Sequence, residues 1–281
     1  MAIVLPDEHP QRALGITARA VRETPIRIGI INIMPKLEAY EPNLLAPFAA
    51  LPELVEPVFV RLDTHGYQSS DATHIERFYE PFDRAIARPL DGLLLTGAPV
   101  EELAFEDVHY WRELASILQY ARTSIASTLG LCWGGLALGA LAGVEKVLFS
   151  KKLFGVFEDR PLTPLLGPTS FACAHSRHSG VDTRSIESAA RRGDVRLLAR
   201  GEETGYSVFE TPDERLLAHL GHPEYEGERL VVEWDRDRAL GRTDVSPPAH
   251  FDPRAPKTTW LDHRQTVFGT LVARASAGRQ R

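Results

Sequence analysis

Only two cysteines, Cys132 and Cys173, occur in the 281-residue chain, too few for a disulfide framework or a cysteine zinc site. A lone reactive thiol fits a reducing compartment, so a cytoplasmic location is expected, with no signal peptide ahead of Ile26. No apolar run approaches the roughly 20 residues that a membrane helix requires, so no membrane partner is expected. Positive charge is also scarce: the formal net charge of −6 offers no general attraction for nucleic acid. The G-x-G-x-x-G spacing of a dinucleotide site is missing around Gly134-Gly135. No carboxylates are paired in the manner of a glycosidase, and there is no internal repeat. What remains is ordinary globular material, 43% hydrophobic and 25% charged, sufficient for one compact domain with embellishments.

Residues 26–33 (IRIGIINI) form a continuous branched-aliphatic run, as expected of a central parallel strand covered on both faces. Helical spacing follows over 41–51, a second strand over 55–62, a partly helical connection over 74–85, a third strand over 92–95, and an amphipathic helix over 108–123. This alternation predicts an α/β fold, a doubly wound and mostly parallel sheet with flanking helices, whose ligand crevice lies at the carboxyl ends of the strands. The second half reads as short strands at 152–158, 170–175, 195–200, 206–210 and 216–222, with a helix over 230–240. The expected organisation is an N-terminal extension over 1–25, an α/β domain over 26–240, and an irregular C-terminal segment over 241–281 packing on the same domain, its proline-rich stretch 245–259 being surface loop.

The sharpest feature is the break of the strand-like run 125–131 into Cys132-Trp133-Gly134-Gly135 and a helix of small residues over 136–141. Gly130, Cys132 and Gly134 form the Gly-x-Cys-x-Gly pattern of a nucleophile elbow, where the tight turn leaves no room for a Cβ. A thiol at a helix start faces unpaired N–H groups and the positive end of the helix dipole, both of which favour thiolate. A small buried core cysteine is the alternative. Such a nucleophile needs a base, and His222 is the candidate among ten histidines. It follows an apolar strand and Gly221 and precedes Pro223-Glu224. In extended chain the carboxylate two residues on shares its side and reaches the second imidazole nitrogen. A metal at His175, His178, His222 and Glu224 is not expected, because His-x-x-His in a strand turns its two rings to opposite sides. Glu233, Asp235 and Asp237 read as the solvated face of a helix.

These residues resemble the homoserine O-acyltransferases of the class I glutamine-amidotransferase-like fold. The likeness is collinear from Arg27 to Arg236, through Asn32-Ile33-Met34-Pro35-Lys36, His74-Ile75-Glu76-Arg77, Thr96-Gly97-Ala98-Pro99-Val100-Glu101, Cys132-Trp133-Gly134, Lys152-Leu153-Phe154-Gly155, His175-Ser176-Arg177 and His222-Pro223-Glu224-Tyr225. It implies a ping-pong reaction in which Cys132 takes an acyl group from acetyl-CoA, or less favourably succinyl-CoA, and passes it to an amino-acid hydroxyl. His222 would then be the base and Glu224 its partner. It also implies an oxyanion hole from the N–H of Trp133 with a second donor from Gly97 to Val100, and acceptor contacts from Lys152, Ser176 and Arg236. No bound cofactor is implied, acyl-CoA being a co-substrate, and a homodimer is one oligomeric outcome.

Acyl choice falls on Glu101, a position where glutamate in this family accompanies acetyl and glycine accompanies succinyl transfer; a carboxylate there repels the second carboxylate of succinyl-CoA. Glu101 has the alternative of serving the acidic start of the following helix with Glu102 and Glu106. The basic residues Arg191, Arg192, Arg196 and Arg200 read as solvated surface, or as partners for a CoA phosphate. Tyr40 and Asn43 stand where the family has threonine and glutamine, and Cys173-Ala174 where it has Ala-Pro, so serine or a specialised homoserine analogue stays open as acceptor; one methylene is worth only about 1–3 kcal/mol in a pocket. A cysteine glutaminase or hydrolase and a non-catalytic amino-acid-binding homologue are the alternatives in kind.

Overall fold

In the computed structural model, which describes residues 3–279, the chain divides into two compact units. One runs to Leu129 and takes back the chain from Phe268; the other spans Gly130–Val267. The first unit opens with two short strands, β1 (Val4–Leu5) and β2 (Ile16–Thr17), paired in parallel. Then come β3 (Ile26–Ile31), α1 (Leu37–Ala49), β4 (Val55–Arg61), α2 (Ala72–Phe78), β5 (Glu80–Pro81), α3 (Phe82–Ala85), β6 (Gly92–Leu95) and α4 (Trp111–Ser124). The strands lie in the order β5-β4-β3-β6, every pair parallel, with Ile26 against Val55 and Ile31 against both Val60 and Leu95. All six residues of β3 are buried, which is why its sequence is aliphatic on both alternating faces.

β7 (Ser127–Leu131) carries the chain to Cys132 and into the second unit. There follow α5 (Trp133–Leu141), β8 (Lys146–Pro161), β9 (Phe171–Val181), α6 (Thr183–Arg192), β10 (Arg196–Gly201), β11 (Gly205–Glu210), β12 (Leu216–His219) and α7 (Gly227–Ala239). β12, β11, β10, β8 and β9 are neighbours in that order and pair antiparallel throughout. The mixed α/β architecture matches the expectation, with strand and helix alternating in the first half and antiparallel strands dominating the second.

Three elements differ from the sequence reading. β8 extends to 16 residues, because β9 pairs with it from Lys146 to Leu148 and again from Leu153 to Asp159, and β10 takes over from Asp159 to Pro161. α6 is hidden by an Arg- and Ser-rich sequence that offers only Ile186 and Ala189 to the core; it is set instead by its ends, Asp182 accepting the N–H of Ser185 at 2.8 Å and Gly193 closing the helix at φ 80°. The third is the tail: residues 241–281, expected to be irregular, hold α8 (Leu261–Gly278). Its stripe of Val267, Phe268, Leu271, Val272 and Ala275 is buried, and burial of an apolar stripe is the main source of helix stability in a folded protein. Among the described residues no helix is long and apolar enough to cross a membrane.

Candidate active site

The nucleophile elbow is a matter of space. Cys132 adopts φ 49° and ψ −113° at the N-terminus of α5, a conformation that side chains other than glycine rarely take. A Cβ on Gly130 would overlap the carbonyl oxygen of Gly134, and one on Gly135 would lie 3.0 Å from the carbonyl oxygen of His219. The strand-to-helix corner therefore closes only with glycine at 130 and tolerates little at 135. The N–H of Cys132 donates to His219 O at 2.8 Å, fixing the corner to the end of β12. The side chain is nearly buried, at 4% exposure.

His222 sits three residues beyond that anchor. Its own N–H donates to Ala174 O at 2.7 Å. Gly221 is pressed so closely on β9 that a Cβ would fall 2.9 Å from Ala174 O and 3.0 Å from Cys173 Sγ. The imidazole Nδ1 meets Glu224 Oε1 at 2.7 Å, and Cys132 lies near enough to act on the same ring by charge and hydrogen bonding. Burial works against the imidazolium, but the charges of Cys132 and Glu224 and their hydrogen bonds outweigh it and raise the His222 pKa well above its ordinary value. His222 thus joins Cys132 to Glu224, acted on by the sulfur and hydrogen-bonded to the carboxylate.

The loop bearing Glu224 is clamped by the start of α8, within the segment expected to be irregular. Arg264 Nε donates to Pro223 O at 2.8 Å, its Nη1 donates to Glu226 at 2.6 Å, and Trp260 Nε1 donates to Tyr225 O at 3.0 Å.

Lys152, Ser176 and Arg236 come together on two carboxylates of α7. Phe154 pairs with Ser176 in the β8–β9 hairpin, which puts Lys152 and Ser176 on one face. Lys152 Nζ lies 2.7 Å from Asp237 Oδ2 and 3.8 Å from Glu233 Oε2, Ser176 Oγ donates to Glu233, and Arg236 Nε donates to Asp237 Oδ1 at 2.8 Å. Glu233 and Asp237 are therefore no solvated face. They are 3% and 5% exposed and share the buried side of α7 with Leu230, while Asp235 alone of the three acids looks outward. Burial pushes the Glu233 pKa up, yet Lys152, Arg229, His222 and Arg236 together bring it down to about 2.

Tyr225 links the two clusters. Its ring stacks on His222 with centroids 3.9 Å apart, and its hydroxyl donates to Glu233 Oε1 at 2.8 Å. Tyr225, Glu233 and Asp237 are the site residues that sequence reasoning passes over. The available signal is the i, i+4 spacing of the two acids in line with Leu230, which puts them on the apolar side of the helix.

The homoserine O-succinyltransferase family model matches residues 10–274. The chain belongs to that family. It is 34% identical over 257 residues to a homoserine O-acetyltransferase of Roseobacter denitrificans, covering 88% of this chain and 84% of that one. It is 36% identical over 254 residues to one of Geobacillus kaustophilus, covering 87% and 83%. Among solved structures it is similar to a glutamine amidotransferase of Thermotoga maritima, at a TM-score of 0.55 and 11% identity over 92% of this chain and all 100% of that one. A glutamine amidotransferase of Methylobacillus flagellatus gives 0.53 and 16%, covering 90% and 94%. These two likenesses place the fold as class I glutamine-amidotransferase-like. The family match runs beyond the Arg27–Arg236 likeness at both ends and takes in most of α8.

The remaining family positions lie in the first unit, on the turn after β6. Thr96 Oγ1 accepts the N–H of Ile33 at 2.9 Å and donates to Gly97 O at 2.9 Å, tying together the chain ends that leave β3 and β6. Gly97 is buried, and Val100 and Glu101 are half-buried. No helix starts at Glu101: a single 3-10 turn begins at Phe105 with Ala104 as its cap, and α4 starts only at Trp111. The helix-start alternative for Glu101 is thereby removed. In the second unit, His175 and His178 of β9 have different partners, Arg177 and Asp159 for the first and Asp244 for the second. Of the basic residues, Arg196 is engaged by Glu210 and Glu214, and Arg200 lies over the Tyr206 ring.

Proposed function

We propose that the chain is an acyl-CoA-dependent O-acyltransferase that moves an acetyl group, in preference to succinyl, to the hydroxyl of L-homoserine or a close analogue such as L-serine, through an acyl-cysteine at Cys132. The observation that carries this reading is the line from the Cys132 thiol through His222 to Glu224. In the first half-reaction the Cys132 sulfur attacks the thioester carbonyl, the bond to the CoA sulfur breaks, and His222 protonates the departing thiolate. In the second, the acceptor hydroxyl gives its proton to His222 as its oxygen attacks the acyl-cysteine, and Cys132 leaves as thiolate. Both steps pass through an oxyanion, for which the N–H of Trp133, first residue of α5, is the expected donor, joined by one from Gly97 to Val100.

The acceptor reading draws on the acidic pair. Glu233, ionised down to about pH 2, suits an α-ammonium group. Arg236, with 45% of its side chain exposed, can turn its guanidinium to an α-carboxylate, which Lys152 and Ser176 would help to seat. The names of the Roseobacter and Geobacillus relatives favour acetyl, as does Glu101.

Incubation with acetyl-CoA followed by intact-mass analysis tests the proposal. One acetyl adduct is expected, absent in Cys132→Ser and discharged by homoserine. Labelling by glutamine instead of a CoA ester would indicate the glutaminase-like alternative, and no adduct from either would indicate a binding homologue. Acyl choice is tested separately: Glu101→Gly is expected to raise kcat/KM for succinyl-CoA relative to acetyl-CoA by about tenfold or more, since an opposed like charge costs several kcal/mol. An unchanged ratio would remove Glu101 from acyl selection.

A further inference from the structure

His219 does more than end β12. It is fully buried, and two of its atoms hold the two halves of the candidate dyad: its carbonyl oxygen accepts the Cys132 N–H at 2.8 Å, and its ring Nδ1 accepts the N–H of Gly221, next to His222, at 3.0 Å. The far edge of the ring meets another histidine, His219 Nε2 lying 2.8 Å from His263 Nε2 in the first turn of α8. His263 is in turn held flat against Phe171, with ring centroids 3.7 Å apart and an 8° interplanar angle.

The protons on this pair are determined by the partners. A neutral imidazole carries one N–H, and the Gly221 N–H requires a lone pair at His219 Nδ1, so the His219 proton sits on Nε2 and is donated to His263 Nε2. His263 must then carry its own proton on Nδ1, which is buried and meets no hydrogen-bond partner among the described residues. Burial lowers the His219 pKa to about 4 against the opposing pull of Glu224, with His222 and Arg177 also facing the ring. Burial, then the neighbouring His219, lowers that of His263 well below its ordinary value. Both rings are therefore neutral at physiological pH, as the single shared hydrogen bond demands.

Cys173 Sγ lies close enough to the two histidines for the three to be considered as metal ligands, their candidate ligand atoms falling within 4.8 Å of one another. A metal on His219 Nε2 would force the proton onto Nδ1, where the Gly221 N–H already donates. The two arrangements are incompatible, and the hydrogen-bonded one is the one the backbone makes.

We propose that His219 is a positioning residue for the Cys132–His222 dyad, and that His263 holds it in the one tautomer able to fix Gly221. The inference rests on the reading of Cys132 and His222 as the reactive pair. Its test therefore uses a readout that needs no acyl substrate, the pH dependence of Cys132 alkylation by iodoacetamide, with Cys132→Ser as the blank.

In His219→Leu, which leaves the Gly221 N–H buried without an acceptor, alkylation is expected to slow by about tenfold near neutral pH, with its pH profile displaced from that of the parent. His219→Asn, whose side-chain oxygen can accept the same N–H, is expected to stay within about twofold of the parent. His263→Leu keeps the Gly221 bond but frees the ring, so a fall of about threefold with the same displacement of the profile is expected. A folded His219→Leu with the parental rate and profile overturns the proposal. If that variant does not fold, the other two decide: a slowed His263→Leu beside a near-parental His219→Asn supports it, and any other order of rates overturns it. One equivalent of zinc in the purified protein also overturns it. Parental protein that alkylates in this pattern yet forms no acyl adduct would remove the acyltransferase reading and leave the positioning role intact.

Discussion

Replacement of His222 by Asn is expected to slow acylation of Cys132 by about three orders of magnitude, the middle of the range for loss of a positioned general acid–base. Asparagine can still meet Glu224 across the 2.7 Å contact that the imidazole makes, but an amide neither takes the proton of the thiol nor returns one to the departing CoA sulfur. Both half-reactions fail at the same place, so the acceptor step should suffer with the acyl step. Single-turnover release of CoA, followed with a thiol reagent, measures the first, and discharge of a preformed adduct by homoserine measures the second. A loss of less than about tenfold in both would show that His222 is not the proton carrier. In the parental enzyme the rates should follow the macroscopic titration of the Cys132–His222 unit, the raised imidazole keeping its proton into more alkaline solution than a free histidine would.

The second large effect is on stability. Glu233 has a pKa of 4.5 as a free side chain and about 2 in the fold. Because the folded value is depressed, its contribution is fully present above about pH 4.5 and is lost as the pH falls through the folded value near 2. A displacement of this size corresponds to about 3 kcal/mol. Glu233→Gln is expected to lower stability at pH 7 by about that amount, leaving Lys152 with Asp237 but removing the negative charge opposite Arg229 and turning one of the two oxygens that Ser176 and Tyr225 donate to into an amide NH2. The variant should also lack the part of the acid-induced loss that the parent shows. Urea denaturation at pH 7 and at pH 3 measures both. Parallel stability curves for the two proteins across that range would mean that Glu233 is not held ionised by its neighbours.

Much of the Cys132–His222–Glu224 arrangement can be read from the chain because its demands are local. A strand that must turn into a helix within one residue needs glycine at 130, and a carboxylate two residues after His222 is within reach whatever the rest of the fold does. The parallel order β4-β3-β6 is legible for a similar reason, since a strand buried on both faces has to be apolar at every position. Glu233 and Asp237 read otherwise: two acids on a charged helix look like solvent-facing residues until Lys152 and Ser176 arrive from a hairpin more than fifty residues earlier in the chain. α8 escapes the sequence reading because its apolar stripe follows a proline-rich loop, and its value to the site, Arg264 and Trp260 gripping the Pro223–Glu226 loop, exists only once that helix is docked.

The amino-acid sequence by itself pointed to the candidate nucleophile, the candidate base and the parallel half of the sheet, since each follows from steric or hydrophobic requirements within a few residues. Only the tertiary structure decided the protonation and placement of what surrounds them. Whether Glu233 is a carboxylate, which nitrogen of His219 carries the proton, and what fixes the His222 loop depend on charges and hydrogen-bond partners contributed by distant segments, and burial is what makes those partners decisive.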